Sequence, residues 1–334
     1  MSKLILTAWD HHGAYAKDGK IDMELVKRRL GMAADAGITT LFTLPDRKGV
    51  LPFDPYLDVA LELGLKVHVW IIPFHSQKLH DKLIKRLTDA EHWDGCEESF
   101  YPCVNDVAVR ERILPEVEEI IRKQGSRIDG IHLDYIRDDN ARSAVECPCQ
   151  CPACRALRLK YFGKEQLTEE ERKQPAAIYK EYAWKNGFIT DLVRKYRALT
   201  SKYGIKLSMA ARANYAMQAD LPNPPVYGLG PAVLEGQDWA AWGEEGLLDT
   251  ISSMNYHIVP ETFSEVLKGH VRLMKDMKSD FYTGIGLRSS LGVNPPDRVE
   301  RYLNECVDCG MKGCTFFALD GAMDEHYTVI KKFA

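Results

Sequence analysis

The sequence predicts an α/β fold, a single (β/α)₈ TIM barrel that spans residues 1–334 and carries a cysteine-rich insertion over residues 138–174. Short apolar segments alternate eight times with longer amphipathic ones, as in parallel sheets built from right-handed β-α-β units. No linker separates the eight units. A two-domain doubly wound protein is the runner-up, and it is disfavoured because no glycine-rich phosphate turn follows the first strand.

The predicted strands are short apolar runs, several of them rich in β-branched residues, whereas apolar residues recur at helical spacing in the predicted helices. Glycine ends several helices, as at Gly37, Gly64 and Gly204. The strands are predicted at residues 4–9, 38–44, 65–72, 128–137, 205–211, 248–254, 281–287 and 314–319. The helices are predicted at 23–36, 54–63, 107–123, 176–203, 239–245, 262–277 and 296–309, with a short one closing the chain.

The fourth strand carries the most informative pattern. Ile131, Leu133 and Tyr135 alternate with residues that include His132 and Asp134. In a parallel barrel the apolar set packs under the helices, and the other set lines the lumen up to the catalytic rim. Asp134 is therefore predicted to emerge at the rim, with His132 one layer below it. The alternative is that Asp134 caps the strand end or pairs with Arg137.

The carboxyl ends of the other strands add residues suited to sugars. Carboxylates serve acid–base or nucleophilic chemistry, amide and guanidinium groups bind hydroxyls, and flat rings cover the apolar sugar face. The catalytic candidates are Asp134, Asp10, Glu235 and Asp320, and Asp238 either joins them or caps the next helix. The substrate-binding candidates are His11, Trp70, His75, His132, Arg137, Arg212, Asn214, Asn255, Tyr256 and Arg288. We expect roughly half of these side chains to be structural, as is usual for loop and strand-end residues.

The stretch Asp129-Gly-Ile-His-Leu-Asp-Tyr-Ile-Arg137 resembles the fourth-strand signature of the glycosyl hydrolase-like family 10. Tyr101-Pro-Cys-Val-Asn-Asp106 and the path from Gly236-Gln-Asp-Trp239 to Met254-Asn-Tyr256 resemble its neighbouring segments, so the resemblance spans roughly residues 100–260. It implies a TIM barrel that hydrolyses a glycosidic bond of an oligo- or polysaccharide. On this reading Asp134 is the nucleophile or base.

Chitinase-type barrels resemble this chain more weakly. They place their catalytic glutamate on strand four, where this chain has Ile136, so a substrate-assisted chitinase mechanism is not supported.

Two other classes remain open. Rim histidines favour a metal-dependent barrel hydrolase or isomerase, but strand one lacks a His-x-His pair and no lysine ends strand four. A carbohydrate-binding barrel without catalysis is the other alternative, because the second acid is not identified.

Four cysteines, Cys147, Cys149, Cys151 and Cys154, form the densest set of metal ligands in the sequence. Thiolates at such spacing favour a structural zinc ion, with Cys96 or Cys103 as a substitute ligand; a disulfide or free thiols are the alternatives. No organic cofactor is expected.

Composition limits the classes of partner that the chain is expected to bind. Lysine plus arginine number 44 and aspartate plus glutamate 48, for a formal charge of −4, which argues against nucleic acid. No window approaches the roughly 20 apolar residues of a membrane span, so no membrane partner is expected. The chain as numbered opens without a signal peptide, which indicates a cytoplasmic protein, or a secreted one if a signal was removed. Oligomeric state stays open.

Overall fold

The computed structural model describes residues 3–46, 49–75, 103–105, 107–138, 149–215 and 232–334. Eight parallel strands close into a barrel, which confirms the predicted (β/α)₈ TIM barrel. The strands are β1 (Ile5–His11), β2 (Ile38–Leu44), β3 (Lys66–Ile71), β4 (Gly130–Leu133), β5 (Lys206–Ala211), β6 (Thr250–Ser253), β7 (Asp280–Gly286) and β8 (Gly313–Phe317).

Each strand pairs in parallel with its neighbours in the chain, and β1 closes the barrel by pairing with both β2 and β8. Trp9 stands opposite Phe42 in the first of these pairs, and Ala8 stands opposite Phe316 in the second. Because every strand runs in the same direction, all eight carboxyl ends meet at one rim. The functional residues of such barrels lie there.

Helices surround the barrel. They are α1 (Met23–Asp35), α2 (Asp54–Glu62), α3 (Val107–Gln124), α4 (Pro152–Phe162), α5 (Glu169–Arg172), α6 (Pro175–Lys202), α7 (Trp239–Glu245), α8 (Pro260–Leu273), α9 (Pro296–Asp308) and α10 (Asp324–Ile330). The side chain of Asp22 caps α1 by accepting a hydrogen bond from the backbone N–H of Leu25. None of the helices in these ranges is both long and apolar enough to cross a membrane.

The lumen is layered. Its lower part is polar: the Thr7 and Thr315 hydroxyls lie 2.7 Å apart, and Thr315 donates to Ser252 at 2.9 Å. Above it, Trp9, Phe42 and Trp70 form an aromatic cluster. Alternate residues of β1, such as Leu6, point outward into the large apolar core under the helices. The aromatic layer lies directly below the rim.

Strand β4 is shorter than the predicted 128–137, because the chain leaves the sheet after Leu133. Tyr135 adopts a left-handed conformation with φ 50°, which a strand does not tolerate. The backbone N–H of Asp134 still donates to the carbonyl of Ile71 at 2.9 Å. Asp134 is therefore held at the last ladder position, with its side chain free of the strand.

The insertion is anchored on α6. Arg158 of α4 pairs with Glu181 at 2.7 Å, and both side chains are buried. Lys185 of α6 pairs with Asp138 at 2.7 Å, also buried. These ion pairs connect the start and the middle of the insertion to one long helix. Removing one partner of either pair would leave a buried charge uncompensated, at a cost of roughly 3–5 kcal/mol.

Candidate active site

A cavity of about 380 Å³ opens at the carboxyl ends of the strands. Side chains from seven barrel strands or the residues directly after them reach it, together with a short ribbon after β7. Its lining consists of Trp9, His11, Leu44, Trp70, Ile72, Asp134, Tyr135, Arg137, Ala210, Arg212, Met254, Tyr256, Ser289, Ser290, Leu291 and Phe317. A space of this size accommodates a sugar unit or a comparable small molecule.

The floor of the cavity is aromatic. Tyr256 stacks on Phe317 with ring centroids 4.6 Å apart, and Trp9 meets Tyr256 edge to face at 5.6 Å. The indole N–H of Trp9 points down and donates to Nε2 of His132 at 2.9 Å. The floor therefore presents ring surface rather than hydrogen-bonding groups to a ligand.

Asp134 is the buried carboxylate of this cavity, with 3% of its surface exposed. Its Oδ1 accepts the backbone N–H of Tyr135 at 2.7 Å and lies 3.7 Å from Nη1 of Arg137. Burial raises the pKa of Asp134 above its usual value, and the charges of Arg137 and Arg212 only partly oppose that rise. A carboxyl group in this state keeps its proton to a higher pH than an exposed one does.

Two buried donors beside Asp134 lack good acceptors among the described residues: the indole N–H of Trp70 and Nη1 of Arg137. The Trp70 indole lies close enough to Asp134 to help lower its pKa, but it does not reach good hydrogen-bond geometry with any described acceptor. Buried donors usually have partners, so unmet ones in a cavity are candidates for binding an oxygen of a ligand.

Glu235 lies behind these groups and is 4% exposed. Arg212 binds both of its oxygens, through Nε at 2.7 Å and Nη2 at 2.9 Å. Arg137 Nε lies 3.3 Å from Oε2. Glu235 does not line the cavity. The sequence placed it in a loop as a candidate acid, whereas the structure places it under two arginines that do reach the cavity.

His11 lines the cavity and pairs with Asp320, which does not line it. Nδ1 of His11 lies 2.9 Å from Oδ1 of Asp320. Burial acts to lower the pKa of His11, but the hydrogen bond and charge of Asp320 outweigh it, and the pKa is raised. The charge of Asp134 acts in the same direction. This pair is a second proton-carrying group at the rim.

Asp10 is fully buried but lies on the other face of β1, outside the cavity lining. Tyr15 donates to both of its oxygens at 3.0 and 3.1 Å, and Tyr56 donates to Oδ2 at 2.5 Å. Burial raises the pKa of Asp10 to about 6. The alternation along β1 turns Asp10 toward α2, so this predicted catalytic acid does not line the cavity.

Several other candidates are also turned away from the cavity. His132 lies below the floor, stacked on Phe42 at 4.0 Å and bonded to Ser208 at 2.9 Å. Asn255 is buried and donates to the carbonyl of Phe263 at the start of α8. Three further candidates lie elsewhere: Asn214 is buried outside the lining, Arg288 is exposed beside Gly321, and His75 has its side chain outside the described residues.

The structure also adds residues that the sequence did not single out. Ser289, Ser290 and Leu291 reach the cavity from a two-stranded ribbon, Arg288–Ser289 with Gly292–Val293. Their position depends on a turn that no periodic pattern marks. Met254 and Phe317 complete the lining, and their places at predicted strand ends were a usable signal.

A group of four cysteines lies outside the cavity. Cys103, Cys149, Cys151 and Cys154 are buried free thiols whose sulfur atoms all lie within 4.8 Å of one another. Sulfur ligands of one tetrahedral zinc ion would be about 3.8 Å apart, given Zn–S bonds of about 2.3 Å. The donor set thus fits a zinc ion. Cys103 takes the place that the sequence assigned to Cys147, which lies outside the described residues.

The four thiols interact with one another and with Asn105. The Asn105 amide donates to the Cys154 sulfur at 3.2 Å. Hydrogen bonds from the neighbouring thiols, that of Cys103 first, lower the pKa of Cys151 and of Cys149, whereas the pKa values of Cys103 and Cys154 are raised. A bound metal cation would stabilise the thiolate form of all four.

Comparisons with known proteins support the fold. No family model and no curated protein matches the chain. The glycoside hydrolase domain of PgaB (BpsB) from Bordetella bronchiseptica is similar in structure, with a TM-score of 0.71, 13% identity and 95% of each chain covered. The catalytic domain of β-amylase from Paenibacillus polymyxa has a TM-score of 0.58 at 11% identity, covering 99% of this chain and 98% of that one. A chitinase from Chromobacterium violaceum has a TM-score of 0.55 at 10% identity, with the same coverage.

Proposed function

We propose that this protein is a glycoside hydrolase that cleaves a glycosidic bond of an oligo- or polysaccharide at the carboxyl-terminal rim. The observation that carries the proposal is the buried Asp134 carboxylate standing over an aromatic floor in a cavity of about 380 Å³. Ring surfaces suit the apolar face of a sugar, and a carboxyl group of raised pKa suits proton transfer at the glycosidic oxygen. The structural neighbours include proteins described as glycoside hydrolases, which supports the same class.

Asp134 acts in this proposal as the nucleophile or acid–base carboxylate. Glycoside hydrolysis usually uses two carboxyl groups that flank the scissile bond, one as the acid and the other as the nucleophile or base. The His11–Asp320 pair is the candidate for the second, since His11 lines the cavity and its pKa is raised. The free N–H groups of Trp70 and Arg137 bind oxygens of the sugar beside Asp134.

A catalytic metal bound by rim histidines receives less support. Among the described residues, the cysteine cluster is the group whose geometry could hold a metal ion. Of the rim histidines considered from the sequence, His132 lies below the floor and bonds to Trp9 and Ser208, so its ring nitrogens are already engaged.

The direct test is a screen of the purified protein against chromogenic glycosides and polysaccharides, with product stereochemistry read by NMR. Turnover that survives treatment with a chelator is expected. If no glycan releases reducing sugar, and the activity that is found is lost on chelation, a metal-dependent hydrolase is indicated instead. Glycan binding without turnover would indicate a carbohydrate-binding barrel.

We propose further that Cys103, Cys149, Cys151 and Cys154 hold one structural zinc ion. The ion would join the segment before α3 to the insertion after β4. Because four thiolates leave no open coordination position, the zinc stabilises the fold and takes no part in the reaction.

Elemental analysis of the parent protein and of a Cys151→Ser, Cys154→Ser double variant tests this. One zinc per chain is expected in the parent and none in the variant, whose melting temperature should fall by several degrees or more. Cys309 is half-buried and lies outside the cluster. Cys309→Ser is therefore the control, and it should keep both the zinc ion and the melting temperature of the parent. A parent without metal and a variant with unchanged melting would leave the cluster as free thiols.

A further inference from the structure

Glu235 is held by more charge than a loop carboxylate normally attracts. Arg212 binds it in bidentate fashion and Arg137 lies 3.3 Å from Oε2. Only 5% of its side chain and 4% of the Arg137 side chain are exposed. Bidentate guanidinium–carboxylate pairs of this kind fix geometry as well as charge. The two arginines therefore cannot move independently of Glu235.

The backbone around Glu235 is fixed as well. Its carbonyl accepts the N–H of Asp138 at 2.7 Å, and Asp138 in turn pairs with Lys185 of α6. The next residue, Gly236, has φ 75°, and a Cβ there would lie 2.6 Å from Cδ1 of Ile189. The turn is thus packed against α6 where only glycine fits. Glu235 sits at a rigid junction between the segments that follow β4 and β5.

Both arginines reach the cavity beside Asp134, whereas Glu235 does not. With both of its oxygens occupied by guanidinium groups, Glu235 is poorly placed to give a proton to a substrate. Nη1 of Arg137 makes no hydrogen bond to a described side chain, although it lies 3.7 Å from Oδ1 of Asp134. Glu235 holds the Nε edge of the same guanidinium, so it sets the direction of that free N–H.

We propose that Glu235 is a positioning residue: it holds Arg137 and Arg212 at the cavity edge, so that Arg137 presents a free N–H to an oxygen of the substrate beside Asp134. The proposal rests on the function proposed above for the cavity. Its geometric part, the control of two arginines by one buried carboxylate, can be tested without turnover.

Changing Glu235 should alter how Asp134 titrates. The groups that act on Asp134 come from four sides: Arg137 from its own segment, Arg212 after β5, His11 from β1 and Tyr256 after β6, with the Trp70 indole beside it. Glu235→Gln removes a negative charge and leaves both guanidinium charges unbalanced. The pKa of Asp134 should then fall.

Arg212→Gln should do the opposite, since it leaves Glu235 compensated by Arg137 alone. If Glu235 merely supported folding, Glu235→Gln and Arg212→Gln would not shift the titration of Asp134 in opposite directions. Glu245→Gln is the matched control, because Glu245 also binds an arginine in bidentate fashion, through Nη2 of Arg194 at 3.0 Å to both oxygens, but on the surface.

The experiment follows the carboxyl carbon of Asp134 by NMR in protein labelled with ¹³C-aspartate, assigned with Asp134→Asn. We expect shifts of about one pH unit, downward in Glu235→Gln and upward in Arg212→Gln, and none in Glu245→Gln. Glu235→Asp, which keeps the charge, should lie close to wild type and serves if Glu235→Gln does not fold. Titrations that stay unchanged in folded Glu235 and Arg212 variants would overturn the proposal.

Turnover separates this inference from the proposed function. On any glycan that the wild type hydrolyses, Glu235→Gln should lower kcat/KM by about tenfold or more and move the acid limb of the pH profile downward. If no glycan is hydrolysed but the titrations shift as expected, the proposed hydrolase function fails while the positioning role stands. If glycans are hydrolysed and Glu235→Gln keeps the wild-type profile and titration, the positioning role fails alone.

Discussion

Two layers of the same lumen differ in how their polar groups are satisfied. In the lower layer, His132 accepts from Trp9 and bonds to Ser208, and His68 bonds to the same serine at 2.7 Å. At the rim, Trp70 and Arg137 each keep a buried N–H without a good acceptor in the described chain. The polar groups of the lower layer are satisfied within the described chain, whereas the rim keeps two donors that are not.

The difference also shows in the titrating groups. Burial lowers the pKa of His132 well below its usual value, so it stays neutral and acts as a hydrogen-bonding core residue. His11, at the rim beside Asp320, has a raised pKa instead. The same residue type thus loses or gains affinity for a proton according to whether a carboxylate faces it. The following predictions test that distinction.

The largest effect is expected at the rim. Asp134→Asn keeps the size of the side chain but removes the charge and the exchangeable proton, so turnover should fall by roughly 10²–10⁴-fold with little change in melting temperature. The measurement is kcat/KM on the best glycan from the screen. Asp10→Asn, at an equally buried carboxylate outside the cavity, is the comparison and should keep most of the activity. Near wild-type turnover in Asp134→Asn would make Asp134 structural.

The lower layer should respond in stability rather than in chemistry. His132→Leu removes the acceptor of the Trp9 indole and a partner of Ser208, leaving buried polar groups unpaired. We expect a loss of about 2–4 kcal/mol in the free energy of unfolding, measured with urea. An unchanged unfolding free energy would show that the hydrogen bonds of this layer contribute little.

Asp10 should make stability depend on pH. The pKa of Asp10 is raised by burial from 3.8 to about 6. The folded chain then binds this proton more tightly than the unfolded chain, so the contribution of Asp10 to stability falls as the pH rises from about 4 to about 6. Asp10→Asn should therefore be more stable than wild type at pH 8, by at most about 3 kcal/mol, with the difference closing below pH 4. A constant difference between pH 4 and 8 would contradict the raised pKa.

A smaller effect is expected from Asp320. Asp320→Asn removes the negative charge that raises the pKa of His11. Burial, which lowers that pKa, remains. The pKa of His11 should drop, and if protonated His11 is the acid, the alkaline limb of the kcat/KM profile should move down by about one pH unit. The His11 Cε1 proton, followed by NMR, measures the same shift directly. An unmoved His11 titration would mean that the pair does not form in solution.

The sequence predicted the barrel well because its evidence is local and repeated. Period-two apolar runs and helices ending in glycine recur along the chain, and each strand in the structure overlaps its predicted range. Strand β4 is the instructive exception. Its alternation continues to residue 137, yet the left-handed Tyr135 ends the strand, and backbone conformation at one residue leaves no periodic trace.

The site was harder to predict, since it depends on which way individual side chains point. Asp10 and His11 are neighbours at the same strand end, but only His11 enters the cavity. Glu235 read as a loop charge because its arginine partners are 98 and 23 residues away in the sequence. Cys103 could be named only as an alternative ligand, because the chain folds it onto the insertion from a segment 46 residues earlier than Cys149.

The central claim is that N–H donors at the rim, and not those of the layer below, bind an oxygen of the sugar. Indole N–H signals of Asp134→Asn, labelled with ¹⁵N and assigned by Trp→Phe variants, test it during titration with an oligosaccharide that the wild type hydrolyses. The Trp70 signal should move most, Trp9 less, and Trp242, whose N–H donates to Thr190 at 2.8 Å away from the cavity, not at all. A bound oligosaccharide that leaves the Trp70 signal in place would contradict the claim.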